Sequence, residues 1–118
     1  MTEVREVFFV IGREGAVLWS DAGEPAALPD TRERWDVIWR LRREIEELAH
    51  SHPNGPLAFS HEDETTMQAL TVGLGRTLCF SVVAPGGTLR RQNGADVHVR
   101  LEEEPGWTTL LRRASGMK

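Results

Sequence analysis

Four side chains with metal-binding or catalytic chemistry lie close together in the middle of this chain: His50, His52, Ser60 and Asp63. Imidazole nitrogens and carboxylate oxygens are common zinc ligands in proteins. A serine hydroxyl beside such a metal can donate a hydrogen bond to a developing negative charge. The stretch therefore predicts a catalytic zinc site.

The residues around the two histidines indicate how their side chains are presented. Residues 47–52 read as a short strand that a proline then stops. Residues i and i+2 of a strand point to the same face of a sheet. We therefore expect His50 and His52 to project together, with Ala49 and Ser51 facing the other side.

A third ligand must come from another element. Asp63 falls in the first turn of the next predicted helix, and the loop over residues 53–59 allows that turn to fold back toward the strand end. Two histidines and one carboxylate leave a fourth position open for water, as a catalytic zinc site requires. Ser60 can place its hydroxyl beside the metal, and a nearby carboxylate would serve as the base for the water.

The rest of the sequence predicts the elements that hold this site. Residues 106–113 are compatible with a strand or a short helix, and residues 114–118 are expected to fray. Because strands and helices alternate only in part, we expect an α/β (mixed α+β) fold, with a mixed sheet flanked by helices, in one domain over residues 1–118. The predicted strands cover residues 4–11, 16–20, 47–52, 78–84, 88–92 and 96–101, and the predicted helices cover 31–46, with a capping box from Asp30, and 61–72.

Composition narrows the class of protein. The chain has 118 residues, of which 40% are hydrophobic and 27% charged, as in soluble globular proteins. A net charge of -4 disfavours nucleic acid as a partner. No apolar run approaches the length of a membrane span, and the N-terminus lacks the pattern of a signal peptide, so we expect a cytoplasmic protein with no membrane partner. The single cysteine, Cys79, lies in an apolar run and is expected to be buried.

The spacing His-x-His, seven residues, Ser, two residues, Asp resembles the JAMM motif of the MPN+ (JAB/MPN-domain) zinc metalloproteases. The matching residues are His50, His52, Ser60 and Asp63, with Pro53 after the second histidine as that family favours. The resemblance covers about residues 6–83. It implies an MPN-like (cytidine-deaminase-like) fold, Zn²⁺ held by the two histidines and the aspartate, and Ser60 as the residue that stabilises the oxyanion.

The resemblance also implies an upstream glutamate that activates the water. In the family this glutamate precedes a strand that ends in glycine, and the local match is Glu6 before the stretch that ends at Gly12. Glu6 stands one residue closer to that glycine than the family pattern has it. We nominate Glu6 as the catalytic base, with Glu3 as the second choice.

The function implied by the resemblance is a zinc-dependent metallopeptidase or isopeptidase that hydrolyses an amide or isopeptide bond. Its substrate would be a protein or peptide, with the C-terminus of a ubiquitin-like or sulfur-carrier protein as one candidate. Two alternatives stay open: a non-catalytic MPN-fold binding or scaffold module, and a zinc hydrolase of small amides or peptides.

Several other residues have simpler interpretations. Trp35 and Trp39 lie one helical turn apart and are expected in the core. His61 and His98 have no spacing that adds to the zinc ligands, so we expect them at the surface.

Overall fold

The computed structural model describes residues 4–23 and 32–117. Within these residues, six strands form one mixed sheet in the order β2-β1-β3-β4-β5-β6. The mixed sheet with helices confirms the predicted mixed α+β class. The strands are β1 (Val7–Ile11), β2 (Val17–Ala22), β3 (Glu47–Ser51), β4 (Cys79–Ala84), β5 (Gly87–Gln92) and β6 (Ala95–Val99), and the helices are α1 (Arg32–Arg40), α2 (His61–Leu74) and α3 (Trp107–Ser115).

Strand β3 is central to the sheet, with His50 near its carboxyl end and His52 directly after it. It pairs antiparallel with β1, where His50 faces Phe8, and parallel with β4, where His50 faces Val82. Helix α2 connects the two parallel strands. The site therefore lies where ligands commonly bind in such units, beyond the carboxyl end of a parallel strand.

The two faces of the sheet bury different sets of side chains because side chains alternate along each strand. On one face, Val10 of β1 and Leu48 of β3 pack with Ile38 of α1 and Leu70 of α2. His50 shares this face, since it lies two residues after Leu48.

On the opposite face, helix α3 covers the sheet. Val7, Phe9 and Ala49 pack there with Trp107 and Leu111. This core holds β1 against β3 on the face opposite His50. The segment before β1 therefore keeps a fixed position relative to His50.

Helix α2 begins at His61, as predicted, and ends at Leu74, two residues beyond the predicted end. Ser60 is the N-cap, and Gly75 ends the helix in the left-handed conformation, at φ 68°, with its N–H bonded to the carbonyls of Thr71 and Val72. Glycine adopts this conformation without the steric penalty of a Cβ atom. The fixed start of α2 matters for function because Asp63 lies in its first turn.

Some expectations about the helices are wrong. The first helix ends at Arg40, where we expected it to reach 46, because residues 41–44 form a turn. Trp39 is 56% exposed, and the Arg42 guanidinium stacks on its ring, so this tryptophan lies outside the core. Trp35 is half-buried and packs against the core, in agreement with its predicted place. The expected capping box at Asp30 falls outside the described residues.

The C-terminal segment also differs from expectation. Residues 107–115 form a helix, and residues 114–117 pack against the rest of the fold where we expected fraying: the Ser115 hydroxyl donates to the Arg5 carbonyl at 2.7 Å, and Met117 is buried. Cys79 is buried, and His61 and His98 are exposed, as expected. Among the described helices, none has the length and apolar character needed to cross a membrane.

Candidate metal centre

His50, His52 and Asp63 converge into one cluster. The His50 and His52 Nε2 atoms lie 3.2 Å apart, and they lie 3.1 and 3.4 Å from Asp63 Oδ2. Ligands held about 2.05 Å from a zinc ion at tetrahedral angles are separated by about 3.3 Å. The three atoms therefore have the spacing of three corners of a tetrahedral site, and this group can hold a metal ion.

The loop after β3 orients the second histidine. His52 Nδ1 lies 3.0 Å from the Pro56 carbonyl oxygen. A carbonyl only accepts hydrogen bonds, so Nδ1 carries a proton, and Nε2 is left to donate a hydrogen bond to Asp63 when protonated or to offer its lone pair to a metal when not. This arrangement, in which a ligating imidazole donates its other N–H to a carbonyl, is usual in protein metal sites.

The start of α2 orients the aspartate. The Ser60 hydroxyl accepts the Asp63 backbone N–H at 3.0 Å, and Asp63 Oδ2 accepts the Ser60 backbone N–H at 2.7 Å. This capping box leaves the hydroxyl hydrogen of Ser60 able to donate elsewhere. The same two residues thus start the helix and form one side of the site.

Electrostatics keep the aspartate ionised. Burial alone would raise the pKa of Asp63, but hydrogen bonds from His50, His52 and the Ser60 N–H hold that pKa well below its ordinary value. An ionised carboxylate is the form that ligates a metal. The side chains of His50 and Asp63 are only 14% and 18% exposed, so the cluster is largely shielded from solvent.

Glu6 lines the same cavity as the cluster. Burial raises the pKa of Glu6, and the attraction of His52 and His50 only partly opposes this rise. The structure therefore brings the nominated base together with the predicted ligands and Ser60. The second choice, Glu3, lies outside the described residues.

Ser51 connects the Glu6 segment to the histidines, a role that the sequence did not reveal. Its hydroxyl, fully buried between the two histidine positions, accepts the Val7 backbone N–H at 2.8 Å. It also lies 3.4 Å from the Arg5 carbonyl oxygen, to which it can donate. The backbone on both sides of Glu6 is thus bound to the strand that carries the metal ligands.

Arg91 of β5 supports the site from its other side. Its guanidinium forms ion pairs with Glu64 of α2 and with Asp96 of β6. It also stacks over the Phe59 ring, with 4.7 Å between the guanidinium carbon and the ring centroid. The Phe59 ring in turn lies 6.4 Å from the His50 ring, centroid to centroid. No signal in the local sequence pointed to Arg91.

The cluster opens into a cavity of about 540 Å³. Its lining includes the polar side chains of the site, together with those of Arg34, Asn54, Glu62 and Thr66. It also includes apolar side chains from α1, α2 and the sheet, namely Phe8, Trp35, Ile38, Leu48, Met67, Leu70 and Phe80.

No protein-family model matches this chain, and no curated protein sequence does. The functional interpretation therefore rests on the geometry of the site. That geometry supports a metal-binding group of two histidines and one aspartate, with a glutamate and a serine beside it.

Proposed function

We propose that this protein is a JAMM-type, zinc-dependent hydrolase of amide or isopeptide bonds with an MPN-like fold. The observation that carries this proposal is the spacing of 3.1–3.4 Å among three ligand atoms of His50, His52 and Asp63, with Glu6 lining the same cavity. The order of the elements supports it as well. The glutamate precedes β1, the histidines end β3, and the serine and aspartate begin α2.

Zinc is the metal that this ligand set favours. Two imidazoles and one carboxylate are the protein ligands of several catalytic zinc sites, which keep the fourth position for water or substrate. When bound, zinc would lower the pKa of a water molecule and polarise the substrate carbonyl. Iron(II) is the main competitor for two histidines and a carboxylate, so the metal itself must be determined.

Glu6 and Ser60 supply the proton transfer and the charge stabilisation. The Glu6 carboxylate takes a proton from the attacking water, whose oxygen forms a bond to the carbonyl carbon. The Ser60 hydroxyl donates a hydrogen bond to the carbonyl oxygen as it becomes negative. Glu6 then passes its proton to the amine nitrogen as the carbon–nitrogen bond breaks, which leaves a carboxylic acid and a free amine.

The test is hydrolysis by zinc-loaded protein of two kinds of substrate: a fusion to the C-terminus of a ubiquitin-like protein, and simple N-acyl amides. Glu6→Gln should retain zinc and lose at least about 100-fold in kcat, the scale of general base catalysis. Glu102→Gln, an exposed acidic position far along the chain, is the matched control and should leave kcat unchanged.

Two results would contradict the proposal. Full activity in Glu6→Gln would remove the base from the mechanism. Stoichiometric zinc with no hydrolysis of either substrate class would favour the alternative, a binding or scaffold module that keeps the metal site without the reaction.

A further inference from the structure

The inner part of the cavity is built from core side chains. Ile38, Leu48, Leu70 and Phe80 are each at most 6% exposed, yet all of them line the same space as the metal ligands. Protein interiors are normally packed with few voids larger than a water molecule. A space of about 540 Å³ falls within the range of small-molecule sites, about 300–1,000 Å³.

The apolar wall begins close to the ligands. Leu48 precedes His50 by two residues on β3, a separation of about 6.6 Å along a strand. Met67 follows Asp63 by four residues on α2, a rise of about 6 Å along a helix. The apolar wall therefore lies next to the ligands along both β3 and α2, within reach of a substituent on a carbonyl group at the metal.

The two catalytic side chains indicate which side of the scissile bond faces this wall. Ser60, which would hold the carbonyl oxygen, starts the same helix that carries Met67 and Leu70. Glu6, which would deliver the proton to the amine, comes from the segment before β1. The acyl group accordingly extends along α2 into the cavity, and the amine faces Glu6.

We propose that this cavity is an acyl-binding subsite, which takes one aromatic or branched aliphatic substituent adjacent to the scissile carbonyl. The inference rests on the proposed hydrolase function and specifies its substrate class as small amides with an apolar acyl group. The apolar side chains of this subsite select such groups by the area that they remove from water.

Hydroxamates test the subsite without requiring turnover, because they bind zinc directly and carry a substituent on the acyl side. Zinc-loaded protein should bind 3-phenylpropanohydroxamate about 50-fold more tightly than acetohydroxamate, the scale expected for burying one phenyl ring. Filling the cavity with Leu70→Trp should reduce this ratio to below about 5 while acetohydroxamate still binds. If thermal unfolding shows that Leu70→Trp is not folded, Ile38→Phe is used in its place, since it fills the same space from α1.

Val72→Phe is the matched control, since Val72 lies on the same helix but is 76% exposed and outside the cavity. This variant should keep the full ratio. Equal binding of the two hydroxamates to the wild type would overturn the subsite and leave the zinc hydrolase standing. Failure of the wild type to bind zinc would instead overturn the proposed function, and the subsite with it.

Discussion

Ser51→Ala tests whether one buried hydroxyl holds Glu6, the proposed base, against the proposed metal ligands. The Ser51 hydroxyl is fully buried and accepts the Val7 N–H at 2.8 Å. Its removal leaves that N–H in the interior without its partner, which costs about 1–3 kcal/mol. Alanine is otherwise well tolerated in size, so we expect the free energy of unfolding to fall by about 2 kcal/mol.

The assay is urea unfolding monitored by tryptophan fluorescence. The slope of the unfolding free energy against urea concentration should stay unchanged. A second readout is kcat: Val7 directly follows Glu6, so loss of the bond should lower kcat by about 10-fold or more while zinc stays stoichiometric. Ser20→Ala on the exposed edge strand β2 is the control and should change stability by less than about 0.5 kcal/mol.

Unfolding of Ser51→Ala at the wild-type urea concentration, together with a full kcat, would contradict both roles of this hydroxyl. A loss of stability with an unchanged kcat would refute only the link between Ser51 and Glu6. A loss of zinc would show that the substitution disturbs His50 and His52, which flank Ser51 in sequence.

Three further outcomes follow from other contacts. Arg91→Ala should weaken zinc binding by about 10-fold in chelator competition, since residues that support metal ligands have effects of this size; Arg100→Ala, at an exposed position, should not. Cys79 should react with iodoacetamide about 100-fold more slowly than a free thiol at pH 8. Burial, reinforced by the nearby Glu47 charge, raises its pKa to about 11 and keeps the thiolate scarce until the pH approaches that value. Reaction of Cys79 at the rate of a free thiol would contradict this. Leu111→Ala should cost about 2–5 kcal/mol in thermal or urea unfolding because Leu111 is fully buried, whereas Leu110→Ala, at a 51% exposed neighbour, should cost less than about 1 kcal/mol.

The grouping of His50, His52 and Asp63 was predictable because its information is local. His50 lies near the end of a strand that His52 directly follows, and Ser60 and Asp63 form one capping box, so strand parity and helix capping place each pair. The loop between them is short enough to bring the pairs together. The structure confirms that His50, His52 and Asp63 form one group.

The residues that support the site were not predictable because their contacts are distant in sequence. Ser51 bonds Val7 across 44 positions, and Arg91 reaches Glu64 across 27. Nothing in the local pattern around either residue encodes its partner. The cavity was not predictable for the same reason, because its walls combine residues of two helices and three strands that are distant in sequence.

The errors in secondary structure arose where local pattern and tertiary packing compete. The amphipathic pattern after Arg32 continues past residue 40, but the chain turns there to enter β3. The sequence after Gly106 is compatible with either a strand or a helix. The segment forms a helix, whose Trp107 and Leu111 pack against the sheet. Trp39 had the spacing of a core residue and lies at the surface instead.

The most direct test of the central claim is the zinc content of purified protein after equilibrium dialysis, measured for the wild type, Asp63→Ala and Asp36→Ala. Asp36 is an exposed aspartate on α1 and serves as the control. If His50, His52 and Asp63 form the site, the wild type and the control will bind one zinc ion per chain, and Asp63→Ala will bind none under the same conditions. Stoichiometric zinc in Asp63→Ala, or no zinc in the wild type, would contradict the account.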